Sequence, residues 1–289
     1  MSHRVKIALS CRDCDRIPKV PGAGELLSEK GQTFQRMHNG VLVKKGMYHG
    51  DWMTDIIRGL RGHHEPQEEK VFQAVAKTLA PGATMVELGS FWAYYSMWFQ
   101  HEIPNAVSIM VEPDPEKLKA GRDNFALNNM TGTFIHAFAG AKTTDKATFL
   151  DWDGSEVHLP QVSVDGLMQV HALKCIHILH ADIQGAEHQM LKGAAKSLSE
   201  RRIKFLFIST HSFEHRRCLR LIREHGYRVL AEHTVLESFS GDGLIVAASP
   251  DASLPEPISI SKRGVTFGEW AHYEIVGLKQ RWLAYVSGL

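Results

Sequence analysis

Cysteine is scarce in this chain. Four residues in 289, at positions 11, 14, 175 and 218, are too few and too scattered for a disulfide framework. An excess of charge of one sign is also missing. The 33 Lys and Arg face 32 Asp and Glu, so no global field favours a nucleic-acid backbone or an anionic membrane. No apolar run is long enough to span a bilayer. The start, MSHRVKIALSCRDCDR, has a short apolar patch without a sustained signal-peptide core. Internal repeats are absent. The expectation is a cytoplasmic protein with no membrane and no nucleic-acid partner. Cys11 and Cys14 form a CxxC, but no second CxxC completes a four-ligand zinc site, and no thioredoxin-like context surrounds it. The pair reads as two unlinked thiols. A zinc site finished by His3 or a distant His, and a redox pair, are the minor alternatives.

What is present is a 44% hydrophobic chain, enough for one large domain with additions. Residues 1–62 hold loop signals (IPKVPGAGE, MHNG, KKG) with short apolar pieces and one short helix at DWMTDIIRGL, N-capped by Asp51. They read as an N-terminal extension covering the acceptor pocket of a domain at 63–250. Glu65-Pro66 starts a helix with Val71, Phe72, Val75 and Leu79 on one face. From residue 84 strands and helices alternate. Strands are expected at 84–88, 106–113, 133–140, 175–182 and 203–210, and helices at 94–102, 115–129, 185–200 and 214–226. YRVLAEHT and GLIVAAS follow as two strands without a long helix between them, so one should run antiparallel. The pattern predicts an α/β fold with a doubly wound, mostly parallel, Rossmann-like seven-stranded sheet. Residues 251–289 read as a Pro/Ser linker and a helical tail carrying Trp270, Tyr273, Leu278, Trp282 and Tyr285, which would pack back or make a homo-oligomer contact.

The stretch VELGSFWAYYSMWF (86–99) is a strand, a glycine turn and a helix start, a junction suited to a ligand. Ligands of open α/β sheets sit outside the carboxyl ends of the strands. Glu87, Glu112 and Asp182 all fall at such ends. Glu112 lies about 20 residues past the glycine turn, where a carboxylate can take both ribose hydroxyls. A pyrophosphate needs the close approach that several glycines permit, and Phe91, Trp92 and Ala93 interrupt that pattern. S-adenosylmethionine has no phosphate and asks less of the loop.

These residues resemble the FkbM-type family of S-adenosylmethionine-dependent methyltransferases. The family's first motif reads roughly DIGANxGxxS. Residues 87–96 lie over it without a gap, with Glu87 for Asp, Gly89 kept, Ser90 for Ala, Phe91 for Asn, Ala93 for the second Gly and Ser96 kept. VEP at 111–113 is similar to its second motif, and VSVDGL (162–167) resembles its VSLDDL. ADIQGAEHQMLKGA (181–194) resembles KIDVQGAE...LKGA, the most specific match, and HGYRV (225–229) resembles its late LxxxGYxv. The resemblance implies a class I methyltransferase domain that binds S-adenosylmethionine through Glu65, Glu87, Gly89, Ser90 and Glu112. By it, Asp165 holds a crossover together.

Transfer of a methyl group to an alcohol needs a base, or a metal that lowers the alcohol's pKa. Asp182, after the fourth strand, and His211, after the fifth, end on one edge of the sheet. They are the expected catalytic pair, with His211 as base or with both holding a divalent ion such as Mg or Mn. Glu187 is a candidate third member, and His63 and His64 are candidates for the pocket mouth. The expected function is O-methylation of a small-molecule hydroxyl, on a sugar or a secondary-metabolite scaffold. The alternative is a non-catalytic assembly subunit with a methyltransferase fold.

Overall fold

The computed structural model describes residues 2–29, 31–150, 156–211, 214–253, 257–266 and 268. The expected tail helix falls almost wholly on 269–289, outside the described residues. The N-terminal extension is α1 (His3–Ser10), an antiparallel sheet of β1 (Leu26–Glu29), β2 (Gln32–Arg36) and β3 (Leu42–Lys44), and α2 (Asp51–Gly59). Gly50, not Asp51, caps α2; Asp51 sits in its first turn. Next come α3 (Pro66–Ala76), β4 (Thr84–Leu88), α4 (Tyr94–Glu102), β5 (Val107–Glu112), α5 (Pro115–Leu127), β6 (Thr133–His136) and β7 (Phe138–Ala139). After β8 (Thr144–Leu150) and β9 (Glu156–Val162) the chain continues through α6 (Val164–Val170), β10 (Ile176–Ala181), α7 (Glu187–Lys192) and α8 (Ala195–Ser199). It finishes with β11 (Ile203–Thr210), α9 (Glu214–Glu224), β12 (Arg228–His233), a 3-10 turn and β13 (Gly243–Ala248).

The main sheet has seven strands in the order β12-β13-β11-β10-β4-β5-β6. β13 runs antiparallel to both of its neighbours, and the pairs from β11 to β6 are parallel. This is the expected doubly wound sheet with its late antiparallel strand. Two expected elements are each divided. Residues 133–140 leave the main sheet at the buried Ala137, and β7 pairs with β9 instead. Residues 185–200 split into α7 and α8 at Gly193, where a Cβ would lie 2.3 Å from the Gly140 carbonyl oxygen. Asp165 ties α6 to α8, as the resemblance implied, by accepting from the Lys196 and Ser197 amides at 3.1 and 2.9 Å and from the Ser197 hydroxyl.

Alternation along the strands sends side chains to two cores. One contains Val86, Leu88, Leu179 and Ile208 with α6 to α9. The other contains Met85, Ile178 and Phe207 with α3 and α4, and it takes in Val5, Ala8, Met37, Val41, Met53, Ile56 and Ile57 of the extension. The extension is therefore a packed layer on that face. Asn128 of α5 bonds both the amide and the carbonyl of Leu42, and Asn124 accepts from the Lys44 amide. Cys11 and Cys14 are buried in this layer, and burial pushes both thiols up to about 12. A thiol with that pKa is a poor nucleophile or redox partner. No helix of the described residues is long and apolar enough to cross a membrane.

Gly89, at the end of β4, has φ +73°, and a Cβ there would lie 1.8 Å from the carbonyl oxygen of Asp182. Strain and overpacking then act together. Gly89→Ala is expected to cost about 3 kcal/mol or more; a thermal melt within a degree of wild type would show that the two strand ends do not meet this closely.

Candidate active site

The loop between β4 and α4 is held from both sides. Asp182 donates its amide to the Leu88 carbonyl at 2.9 Å, which pins the chain after β10 against the end of β4. Across the loop, Glu112 at the end of β5 uses both carboxylate oxygens. One accepts from the Phe91 amide and the other from the Asp114 amide, each at 3.0 Å. Glu87 is buried and accepts from the Ser96 amide at 3.1 Å, fixing the first turn of α4. Burial, opposed by His180 and by the Ser96 bond, raises its carboxyl to about 7. Phe91 and Ala93 both take positive φ, +41° and +58°. The loop therefore keeps a glycine-like path at the cost of strain in two non-glycine residues. Ser90 is buried, and its hydroxyl has no partner.

Trp92 joins the core on the α3–α4 face and Phe91 packs against that core, half-buried. Trp92 is 5% exposed and lies flat against Tyr48 of the extension, with centroids 4.2 Å apart and planes at 5°. Phe91 meets Tyr48 edge-on and lies under the Lys117 ammonium. Asn124 donates to the Trp92 carbonyl at 3.0 Å, so the residue that anchors β3 also anchors this loop.

On the other side of Gly89, Asp182 and His211 are brought together. His211 Nε2 is 3.3 Å from Asp182 and 3.2 Å from Asp242, and Nδ1 is 2.7 Å from Glu187. Gln184 donates to Asp182 at 3.2 Å and its amide nitrogen lies 2.9 Å from His211 Nε2. Burial alone would lower the His211 pKa. Hydrogen bonds to Asp242 and Glu187 and the charge of Asp182 outweigh it and raise His211 to about 10. These carboxylates favour the imidazolium, whose Nε2–H is directed to Asp182 and Asp242 and not to the Gln184 nitrogen, which can only donate. Asp182 is raised as well: burial, opposed by His211 and helped by Asp242 and Glu65, brings its carboxyl to about 7. Its side chain keeps 27% exposure. Of the pair, Asp182 is the group poised to gain or lose a proton near neutrality, and His211 is the fixed cation beside it. Sequence reasoning missed Asp242. It stands in the GDG turn that opens β13, which reads as hairpin punctuation.

Glu65 precedes α3 and joins a second network. Tyr95 donates its hydroxyl to Glu65 at 3.0 Å, and His64 Nε2 lies 3.3 Å from it. His64 and His63 do not line an open mouth. They are 2% and 0% exposed and share Glu69, at 2.8 and 2.6 Å. Desolvation works against the His64 charge, but Glu65 and Glu69 raise it to about 10. His180 pairs with Glu68 at 2.8 Å in the same interior. These paired buried charges lock the α3 N-terminus to α4 and β10.

The residues expected to bind the cofactor have the polar groups that an adenosyl ligand without phosphate would need. Ser90 has a free buried hydroxyl in the loop, and each Glu112 oxygen, after one N–H, retains a lone pair for a ribose hydroxyl. For a metal, no group of three or more His, Cys, Asp or Glu is arranged as ligands among the described residues. Both ring nitrogens of His211 are already committed to carboxylates.

A doubly wound sheet of this order, with acids at the strand ends around a glycine turn, defines a class I S-adenosylmethionine-dependent methyltransferase fold. The description "Methyltransferase FkbM domain" matches residues 73–229, more than half of the chain, and the chain belongs to that family. Among solved structures, it is similar to precorrin-6y C5,15-methyltransferase from Geobacter metallireducens GS-15, at 15% identity over 62% of this chain and 87% of that one, with a TM-score of 0.41. M. capricolum TrmK, solved in complex with S-adenosyl-homocysteine, is 16% identical over 64% of this chain and 71% of that one, with a TM-score of 0.40. An rRNA methylase from Streptococcus thermophilus is 11% identical over 62% and 93%, with a TM-score of 0.43. At this distance none of them carries a substrate over to this chain. No curated protein matches the sequence.

The His211 ion pairs set a pH dependence. Its folded pKa of about 10 lies above the ordinary value of 6.5. The stability it contributes is therefore fully present below pH about 6.5 and is lost as pH climbs through about 10. The gap in urea midpoint between wild type and His211→Gln should be widest at pH 6 and narrow steadily toward pH 10. A gap that does not change with pH would mean that His211 is not held as a cation.

Proposed function

We propose that this methyltransferase acts on a hydroxyl of a small molecule, a sugar or a secondary-metabolite scaffold, with Asp182 as the base. The observation that carries the reading is the Asp182–His211 pair, 3.3 Å apart, placed beside Gly89 at the carboxyl edge of the sheet. S-adenosylmethionine supplies a methyl group on a sulfonium, already activated for in-line displacement. The chain's own work is to bind, orient and take a proton. Glu112 would hold the ribose hydroxyls, Ser90 and Gly89 the middle of the cofactor, and Glu65 its amino end. Glu87 acts through the loop, by holding the Ser96 amide.

Asp182 would accept the alcohol proton as the oxygen attacks. A base with a pKa near 7 is ionised often enough to work and basic enough to be useful. His211 is positioned by Glu187 and Asp242 to stabilise the ionised carboxylate. This reverses the roles expected of the pair, because three carboxylates hold the His211 proton too tightly for it to serve as base. Since both His211 nitrogens are engaged, the reading favours a base without a metal. The extension would form the acceptor side of the pocket, with Tyr48 as its nearest residue.

Two variants separate binding from chemistry. Glu112→Gln should weaken S-adenosylhomocysteine binding about tenfold to a hundredfold by calorimetry, and unchanged affinity would remove Glu112 from the site. Asp182→Asn should lower methyl transfer to alcohol acceptors by about a hundredfold or more while cofactor affinity stays within about threefold. Turnover that survives in Asp182→Asn would place the base elsewhere. If wild type binds the cofactor and methylates no acceptor, the assembly-subunit reading takes precedence.

A further inference from the structure

Tyr48 belongs to no motif and lies in the extension, yet it packs, half-buried, against the loop between β4 and α4. It sits on a strap between Lys45 and Gly50 that joins β3 to α2. Gly46 and Gly50 bound the strap with φ +76° and +78°, and a Cβ at either would meet nothing within 4 Å. His49 also has positive φ, +53°. Main-chain bonds fix the ends: the Lys45 amide donates to Thr33 and the Thr54 amide to Gly50. Lys45 and Asp51 close the ends with an ion pair at 3.0 Å. Between them, one 3.4 Å bond from the Met47 amide to Lys44 is the backbone contact among the described residues.

The middle of the strap is held by rings. Tyr48 stacks flat on Trp92 and meets Phe91 and His64 edge-on at 5.2 and 5.6 Å. His49 packs on Phe91 and Trp52 at 5.5 and 5.7 Å. Trp92 and Phe91 are the bulky residues that break the glycine pattern of the cofactor loop. The Tyr48 phenol, on the far side, lies in the field of Glu65, Asp182 and Asp242. The ring therefore lies over the loop between β4 and α4, against the two aromatics that interrupt its glycine pattern.

We propose that Tyr48 is a gate over the cofactor loop, its ring covering Trp92 and swinging away for the cofactor to enter. The glycine-bounded strap, tied by backbone bonds mainly at its ends, lets the ring move without disturbing β3 or α2. The proposal rests on the family's cofactor and on nothing about the acceptor. It also explains why a loop with two large aromatics can still serve an adenosyl ligand. The aromatics hold the gate rather than the ligand.

Breaking a stacked aromatic pair opposes binding, so removing it should help. The probe is S-adenosylhomocysteine, titrated into wild type, Tyr48→Ala and Tyr48→Phe. Tyr48→Ala should bind about three- to tenfold more tightly, and Tyr48→Phe, which keeps the ring, should bind like wild type. Saturating ligand should change the Trp92 contribution to fluorescence, read as wild type minus Trp92→Phe, and that change should vanish in Tyr48→Ala. Weaker or unchanged binding by Tyr48→Ala would overturn the gate, as would a wild-type Trp92 signal indifferent to ligand. Binding by neither protein would overturn it as well. The wild-type fluorescence arm stands even if Tyr48→Ala folds poorly. A protein that shows the Tyr48→Ala gain but methylates no alcohol would sink the acceptor reading and leave the gate intact.

Discussion

The site depends on the close approach of two strand ends, Leu88–Gly89 from β4 and Asp182 from β10. Only a residue without a side chain, in a left-handed conformation, permits it. The contact sets a cofactor loop on one side of Gly89 and a titratable acid on the other. Glu112 then fixes the far side of the loop through the Phe91 and Asp114 amides, and Glu87 fixes the helix that follows it. Two carboxylates on two strands thus determine the path of a loop whose own sequence, Ser-Phe-Trp-Ala, has little intrinsic reason to follow it.

Electrostatics divides the edge into two parts with different tasks. Inside, His63, His64 and His180 are paired with Glu69, Glu65 and Glu68 and are almost wholly buried. Breaking any pair would strand a charge away from water, so this part is rigid. At the rim, His211 stands among Asp182, Asp242 and Glu187, and the site remains partly open. Its proton is favoured by the surplus of carboxylates, while burial first, and then Asp242 and Glu65, raise the Asp182 carboxyl. A carboxylate that titrates near pH 7 beside a permanent cation is suited to take a proton and give it up again.

The strand-end acids were legible in the sequence because strand, turn and helix are local patterns and ligand sites of open sheets lie at carboxyl ends. Glu87, Gly89, Glu112, Asp182 and His211 all stand where that rule puts them. The seven-stranded order followed from the same alternation. What could not be read was whatever depends on distant packing. Tyr48 reaches Trp92 only because the extension forms a layer over α3 and α4, and nothing in KKGMYHG says so. Asp242 reaches His211 only because β13 pairs antiparallel with β11. Gly193 splits a continuous helical pattern because the Gly140 carbonyl lies against it, a contact 53 positions away in the chain. The number of carboxylates around the His211 imidazole was likewise not readable, since Glu187, Asp182 and Asp242 come from separate parts of the chain.

Amide hydrogen exchange with and without S-adenosylhomocysteine would test the central claim most directly, namely that the loop between Gly89 and Asp182 on one side and Glu112 on the other holds the cofactor. The account predicts added protection in peptides covering 89–96 and 112–117, with faster exchange in 45–50 as the strap lifts. Protection confined to other parts of the chain, or no change at all under ligand in excess, would contradict it.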